Sequence, residues 1–395
     1  MTNIMGRVIL KPRQERRLQA GHLWVFSNEI ARVEGVSENG DIVEVLTGRG
    51  GFVGVGYYNR HSLIAVRMLS RHLQAIDASF FRKRLQRALE YRTGLYAEGT
   101  AYRLAYSEGD QLPGLIVDRY GDYLVVQILT LGMEKLSAVF LPLLSDLLSP
   151  RGILLRNDSA FRDLEGLPRV VQVHQGEIPP EVQIQEEGLS YGVDLQAGQK
   201  TGFFFDQRDN RLLARRYAAN RRVLDCFCYT GGFALNAARG GAAKIMALDQ
   251  SAEALTLARR NAELNGLTEK VFFEQADCLE RLRQLQESPP RFDLIILDPP
   301  AFAKTRAQAA KALGRYQALN AAAVSRIAPE GGFLVTSSCS HFVDESMFLE
   351  TVKRAIVSAG RTARLLELRG AAPDHPVLLA MPETAYLKCL VLRID

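Results

Sequence analysis

Residues 221–241 read RRVLDCFCYTGGFALNAARGG, and three textures follow one another in that stretch. VLDCF is a short apolar run of the kind that forms a strand buried on both faces, CYTGG is a loop of small residues, and a helix follows. Small residues let the backbone approach a ligand, and the helix N-terminus offers N–H groups and the positive end of its dipole. The glycines do not match GxGxxG, so the dinucleotide fingerprint is absent.

Working outward, the same texture recurs in AKIMALD (243–249), VFFEQAD (271–277), FDLIILD (292–298) and GGFLVTSS (331–338), with helical patterns between most of them. Apolar runs separated by helices predict an open parallel α/β sheet. Asp249 closes the second strand about 20 residues past the first turn, where a carboxylate accepts hydrogen bonds from both hydroxyls of an adenosine ribose. Ser251 precedes AEALTLARRNAELNG, in which Leu255, Ala258 and Ala262 share a face and Gly266 is a C-terminal stop. Asp277 reads either as a partner for an adenine amino group or as a helix cap. In DPPAF the two prolines stiffen the backbone and remove two donors, holding Asp298 at the carboxyl end of the sheet, where α/β enzymes bind substrates. Asp225, the TGG loop, Asp249, Asp277 and DPPAF together point to a class I methyltransferase rather than a dehydrogenase. Cys339, directly after GGFLVTSS, reads from residue type alone as either an inert core cysteine or a nucleophile.

The 395 residues suit two or three domains better than one, and 49 basic against 44 acidic residues leave a net charge of +5, a modest surplus compatible with a polyanionic partner. Five widely spread cysteines make a poor disulfide framework, and no cysteine or histidine cluster has metal-ligand spacing, so no metal is expected. The opening meets charge too early for a secretory segment and no run of 18 apolar residues occurs, so a soluble cytoplasmic protein with no membrane partner is expected.

Residues 1–75 read as a small β-rich domain, 76–188 as a mixed unit of strands and helices, and 189–395 as the α/β domain. In the first, Lys11, Arg13, Arg16 and Arg17 precede Trp24 and Phe26. This is either a cationic strip with stacking rings, suited to nucleic acid, or a solvated start with the aromatics in the core. A helix is expected from Ile76 to Tyr91, two strands around Gly121–Asp122, a helix over Lys135–Leu148 and a strand at GILLRND.

KPRQERRLQAGHLWVFSNEI (11–30), AGQKTGFFFDQRDNRLLARR (197–216), LDCFCYTGGFALNAARGGA (224–242), LDPPAF (297–302), SSCS (337–340) and DHP (374–376) together resemble the bacterial 23S ribosomal RNA 5-methylcytosine methyltransferase family, over nearly the whole chain. The resemblance implies a Rossmann-like class I methyltransferase domain, an N-terminal β-rich PUA domain and a small central mixed α/β domain, with S-adenosyl-L-methionine as cofactor. It implies cofactor contacts from Gln207, Phe204, Asp225, Phe227, Tyr229, Thr230, Gly231, Asp249, Asp277 and Asp298, with Lys200, Thr201 and Asp206 helping to close the site. RNA contacts fall to Lys11, Arg13, Arg16, Arg17 and Trp24. The implied partner is 23S rRNA, naked or in an assembly intermediate, and a homodimer stays open.

Carbon 5 of cytosine is a poor nucleophile; thiolate addition to carbon 6 builds electron density at carbon 5, which then attacks the methyl group in line. The resemblance assigns that thiolate to Cys339, with Asp298 holding the ring edge and, if protonated, stabilising charge at N3. The larger group of RNA 5-methylcytosine enzymes carries a second cysteine where Pro300 or Ala301 stands here. That leaves the base for the carbon 5 proton unassigned between Lys304 and an ordered water. Cys226 and Cys228 read as packing residues. The competing reading is an RNA N-methyltransferase acting on guanine without a covalent thiol step. A noncatalytic RNA-binding protein and a small-molecule methyltransferase are further alternatives.

Overall fold

The computed structural model describes residues 4–96, 101–198, 201–285, 291–303 and 305–395. Lys200 and Lys304 lie outside the described residues. The apolar runs from residue 222 onward form a seven-stranded sheet. Its elements are β1 (Arg222–Cys226), α1 (Gly232–Arg239), β2 (Lys244–Asp249), α2 (Ala252–Leu264), β3 (Val271–Gln275), α3 (Cys278–Gln284), β4 (Leu294–Leu297), α4 (Ala309–Val324), β5 (Gly332–Ser338), α5 (Glu345–Ser358), β6 (Ala363–Arg369) and β7 (Lys388–Ile394). The strand order is β3-β2-β1-β4-β5-β7-β6, parallel except for β7, which runs antiparallel between β5 and β6. All four residues of β4 are buried, as a strand covered on both faces requires. Leu224, Leu248, Ile295, Leu297 and Leu334 of the sheet pack in one core with Tyr316 and Leu319 of α4 and Phe348 and Val352 of α5.

Strand order reverses at β1: β2 and β3 lie on one side, β4 and β5 on the other. Such a reversal opens a crevice outside the carboxyl ends of the central strands, the usual ligand position in this architecture. The starts of α2 and α5 are set by side-chain caps that satisfy free backbone donors. Ser251 Oγ accepts from Ala254 N–H (3.0 Å) and Asp344 Oδ1 from Met347 N–H (2.8 Å).

The chain divides into two compact units. The one containing this sheet comprises Gln185–Gly192, Asp206–Ala372 and Ala385–Asp395; the other comprises Met1–Ile184, Val193–Phe205 and Pro373–Thr384. The latter holds a six-stranded sheet built from strands between Gly6 and Ser70 and a five-stranded sheet built from strands between Tyr102 and Gly176. In the five-stranded sheet Leu115–Tyr120 and Tyr123–Ile128 pair antiparallel across the expected turn. The helix expected from Ile76 begins instead at Ala78 and runs to Leu95, because Asp77 Oδ1 accepts from Phe80 N–H (3.0 Å) and caps it. The helix expected over Lys135–Leu148 is two, Leu131–Lys135 and Ser137–Leu148. Among the described residues no helix is long and apolar enough to cross a membrane.

The DHP motif has a structural place in this unit. Arg92, fully buried, donates to both oxygens of Asp110 (2.5 and 2.7 Å) and to the carbonyl of Asp374 (2.8 Å). Asp374 in turn accepts from Arg103 N–H (2.9 Å) and pairs with His375 Nδ1 (2.7 Å), which pins residues 373–384 to a segment far away in sequence. Arg92→Ala would strand a carboxylate that is only 10% exposed. We expect it to cost about 3–5 kcal/mol of stability, read as a lowered urea midpoint.

Candidate active site

The loop after β1 is held in an unusual backbone. Phe227 and Tyr229 have φ of 65° and 49° and Gly231 has 87°, so two bulky residues occupy the left-handed region that glycine favours. Each non-glycine residue there costs about 1–3 kcal/mol and persists only if its surroundings fix it. Cys228 N–H donates to Leu248 O (2.9 Å), Tyr229 N–H to Asp249 Oδ2 (2.8 Å), and Gly231 N–H to Cys228 O (2.8 Å). Asn261 Nδ2 holds the carbonyl of Thr230 (3.1 Å). The turn thus delivers the chain to α1 with Phe227 and Tyr229 half-buried at its rim and Thr230 buried.

Asp249 is half-buried, and its second oxygen accepts from Ser251 N–H (2.9 Å). An ionised carboxylate has about four acceptor sites, so two backbone bonds leave capacity for a diol. Asp277 takes the capping role: Oδ1 accepts from Glu280 N–H (2.9 Å) and Oδ2 from the Gln250 amide. Asp225 is enclosed, with Oδ2 on Ala234 N–H (2.9 Å) and Oδ1 without a partner. Burial pushes its carboxyl well above the usual range, and the neighbouring Asp298 and Asp249 charges add to that, so it keeps its proton. Its place beneath the loop makes it a support for α1.

Asp298 follows β4, and its Oδ1 accepts from Gln207 Nε2 (2.7 Å). Behind that bond stands a relay: Asn210 Nδ2 donates to Gln207 Oε1 (2.7 Å) and Arg369 Nε to Asn210 Oδ1 (3.3 Å). The amide of Gln207 is thereby turned so that its N–H faces the carboxylate. Asp206 accepts from the Tyr386 hydroxyl. Thr201 and Phe204 belong to the Val193–Phe205 segment of the other unit.

Cys339 follows the last residue of β5, and its thiol points at the carbonyl of Pro299 at 3.9 Å. β4 and β5 are parallel neighbours, with Leu297 opposite Thr336, so the DPPAF and SSCS loops leave the sheet side by side. Of the five cysteines Cys226, Cys228, Cys278 and Cys389 are buried and Cys339 is partly exposed. Burial pushes the Cys389 thiol up to about 12 and that of Cys228 well up. Around Cys339, the Tyr316 hydroxyl lies 3.0 Å from both Ser338 Oγ and Ser340 Oγ, tying the turn to α4. Tyr316 carries no local sequence signal for its role, and Asn210 falls in the 197–216 stretch with nothing local to mark it for the relay.

In the other unit Lys11, Arg13 and Arg16 are exposed. Arg17 is committed internally: it donates to both Glu29 oxygens (2.9 and 3.0 Å) and to Trp24 O (3.2 Å). Trp24 is half-buried and donates its indole N–H to Glu108 (2.7 Å), which also pairs with Arg67 (2.6 Å).

Comparison with known proteins matches residues 8–71 to a PUA-like domain and residues 169–392 to an S-adenosylmethionine-dependent methyltransferase family. The ribosomal RNA large subunit methyltransferase I of Aeromonas hydrophila is 43% identical over 96% of this chain and 97% of its own. The protein of the same name from Tolumonas auensis is 41% identical over 98% of each. Among solved structures, SMU.776 complexed with SAH superposes with a TM-score of 0.86 at 22% identity, covering 98% of this chain and 99% of that one. That likeness shows the fold, which with the two family matches is a Rossmann-like methyltransferase domain with an N-terminal β-rich PUA-like domain.

Asp225→Asn keeps an acceptor for Ala234 N–H and abolishes the titration. In the wild type the fold keeps a proton that the unfolded chain releases above pH about 4, so this group makes stability fall as pH rises through that window, by up to about 1.4 kcal/mol per unit. Urea midpoints measured from pH 4 to 7 should therefore fall less steeply, or rise more, in the variant; superimposable pH trends would mean that Asp225 is ionised in the fold.

Proposed function

Since the chain belongs to the S-adenosylmethionine-dependent methyltransferases, and within them to the ribosomal RNA large subunit methyltransferase I family, we propose that it methylates carbon 5 of a cytosine in 23S rRNA, with Cys339 as nucleophile. The observation that carries this reading is the thiol of Cys339, partly exposed and 3.9 Å from Pro299 O, on the rim that also bears Asp298.

The residues present fit the cofactor. The half-buried Asp249 retains acceptor capacity for a ribose diol, Gly231 opens α1 in a left-handed conformation, and Phe227 and Tyr229 offer partly exposed rings. Bound S-adenosylmethionine supplies an electrophilic methyl group. Cys339 as thiolate would add to carbon 6 of the base; carbon 5 would take the methyl group with release of S-adenosylhomocysteine, give its proton to a water or Lys304, and the carbon–sulfur bond would break to return the thiolate and restore the ring. Asp298, oriented by Gln207, holds the ring edge. Because the reacting carbons lie inside the base stack, the cytosine must be extruded or single-stranded to reach the thiol.

RNA attraction falls to Lys11, Arg13 and Arg16 in this reading. Arg17 and Trp24 contribute by shaping the unit, since their polar groups are already engaged. The substrate is 23S rRNA, as naked RNA or in an assembly intermediate.

With methyl-labelled cofactor and 23S RNA from cells lacking the modification, wild type should form 5-methylcytosine. Cys339→Ala should form none while still binding S-adenosylhomocysteine; an N-methylated guanine, or undiminished activity in the variant, would sink the thiol mechanism. Replacing Lys11, Arg13 and Arg16 together by glutamine should weaken RNA binding and lower the log–log salt slope by about 2–3, measured by filter binding over a salt series.

A further inference from the structure

Lys388 is buried at the foot of the Cys339 turn. It opens β7 opposite Ser338 of β5 and is 8% exposed. Its Nζ donates to the carbonyl of Ser340 (2.8 Å) and to that of Tyr386 (2.7 Å). One contact is therefore with the residue after Cys339, while the strand pairing fixes the residue before it. Among the described residues it forms no ion pair with a carboxylate. A buried ammonium with no carboxylate in contact is costly, and a lysine beside a cysteine favours the thiolate.

The charged and titratable groups around it are few. Asp344 and Glu345, at the start of α5, are exposed, and Asp344 is occupied in capping Met347 N–H and accepting from Ser346. On α4, Tyr316 is tied to Ser338 and Ser340, and burial raises its phenol above the usual range, so it stays neutral. His341 stacks on the Tyr386 ring with centroids 5.2 Å apart. Among the groups that act on the ammonium, Cys339 is the one carried by the turn that Lys388 holds.

We propose that Lys388 is a positioning residue for methyl transfer: its hydrogen bonds fix the Cys339 turn, and its ammonium sustains the Cys339 thiolate. Burial draws the Lys388 ammonium down to about 8, against the opposing pull of Cys339, Asp344 and Glu345. The positive charge is therefore complete well below that pH and lost above it. The thiolate's support fades on the alkaline side, so the benefit peaks near neutrality.

The test is the pH profile of iodoacetamide alkylation at Cys339 in the full-length protein. It is read by mass of the Cys339 peptide, with Cys339→Ala as the blank. In the wild type the midpoint should lie below that of a free thiol, about 8.5; a midpoint at or above that value overturns the proposal without any variant. In Lys388→Met that still binds S-adenosylhomocysteine, the midpoint should rise by about one unit or more and kcat should fall at least about tenfold with little change in KM for RNA. Lys388→Arg should recover part of both. Superimposable alkylation profiles in wild type and a folded Lys388→Met would equally overturn it. The effect on kcat rests on Cys339 being the nucleophile, whereas alkylation needs no RNA. Activity surviving in Cys339→Ala would therefore defeat the nucleophile alone and leave the Lys388 question to the alkylation curve.

Discussion

A parallel sheet covered on both faces has nowhere to receive a ligand except beyond the ends of its strands. That constraint organises the whole α/β unit. β1, β2, β4 and β5 lie side by side in register, Cys226 opposite both Leu248 and Leu297, and Leu297 opposite Thr336. Asp249, Asp298 and Cys339 each stand at or just past the carboxyl end of one of these strands. Residues as far apart in sequence as Asp249 and Cys339 therefore meet on one rim without any of them needing a long or mobile loop. The register also explains why β4 must be so completely apolar: it is the central support for the two loops that carry the proposed chemistry.

At the rim itself, backbone geometry matters as much as side-chain identity. The left-handed residues Phe227 and Tyr229 are strained positions that survive because neighbouring strands supply acceptors for the loop's N–H groups. Asp249 serves twice in this arrangement, as a strut for Tyr229 and as the carboxylate proposed to meet a ribose. The paired prolines of DPPAF act differently: they donate nothing and stiffen the loop in which the Pro299 carbonyl faces the thiol of Cys339.

Much of this was legible in the amino-acid order, and the reason is local. Apolar runs mark doubly buried strands, small residues mark the turn after β1, and Ser251 caps α2 through its own near neighbours. What escaped was whatever depends on a distant partner. Arg17 and Trp24 look like free cationic and aromatic surface until Glu29 and Glu108 are seen to occupy them. Asp225 looks like another carboxylate facing the crevice, but the sheet encloses it. Tyr316 and Lys388 sit in stretches with no motif and reach the rim only because α4 and β7 bring them there, while Asn210 lies in the 197–216 stretch but gains its relay role only through Gln207 and Arg369 of β6. The start of the helix at Ala78 shows the same limit in miniature: periodicity gives the apolar face, while a single aspartate decides where the helix begins.

The position of β7 has a further consequence for how the molecule is assembled. β7 is the latest strand of its sheet in chain order, yet it lies between β5 and β6, which have no pairing with each other. During vectorial synthesis β6 emerges without a neighbour, and the outer edge of β5 stays open until β7 slots between them. The strand that closes this gap also brings Lys388 to the Cys339 turn. Completion of the sheet and formation of the Lys388–Ser340 contact are thus a single late event, one that a nascent chain interrupted before β7 does not reach.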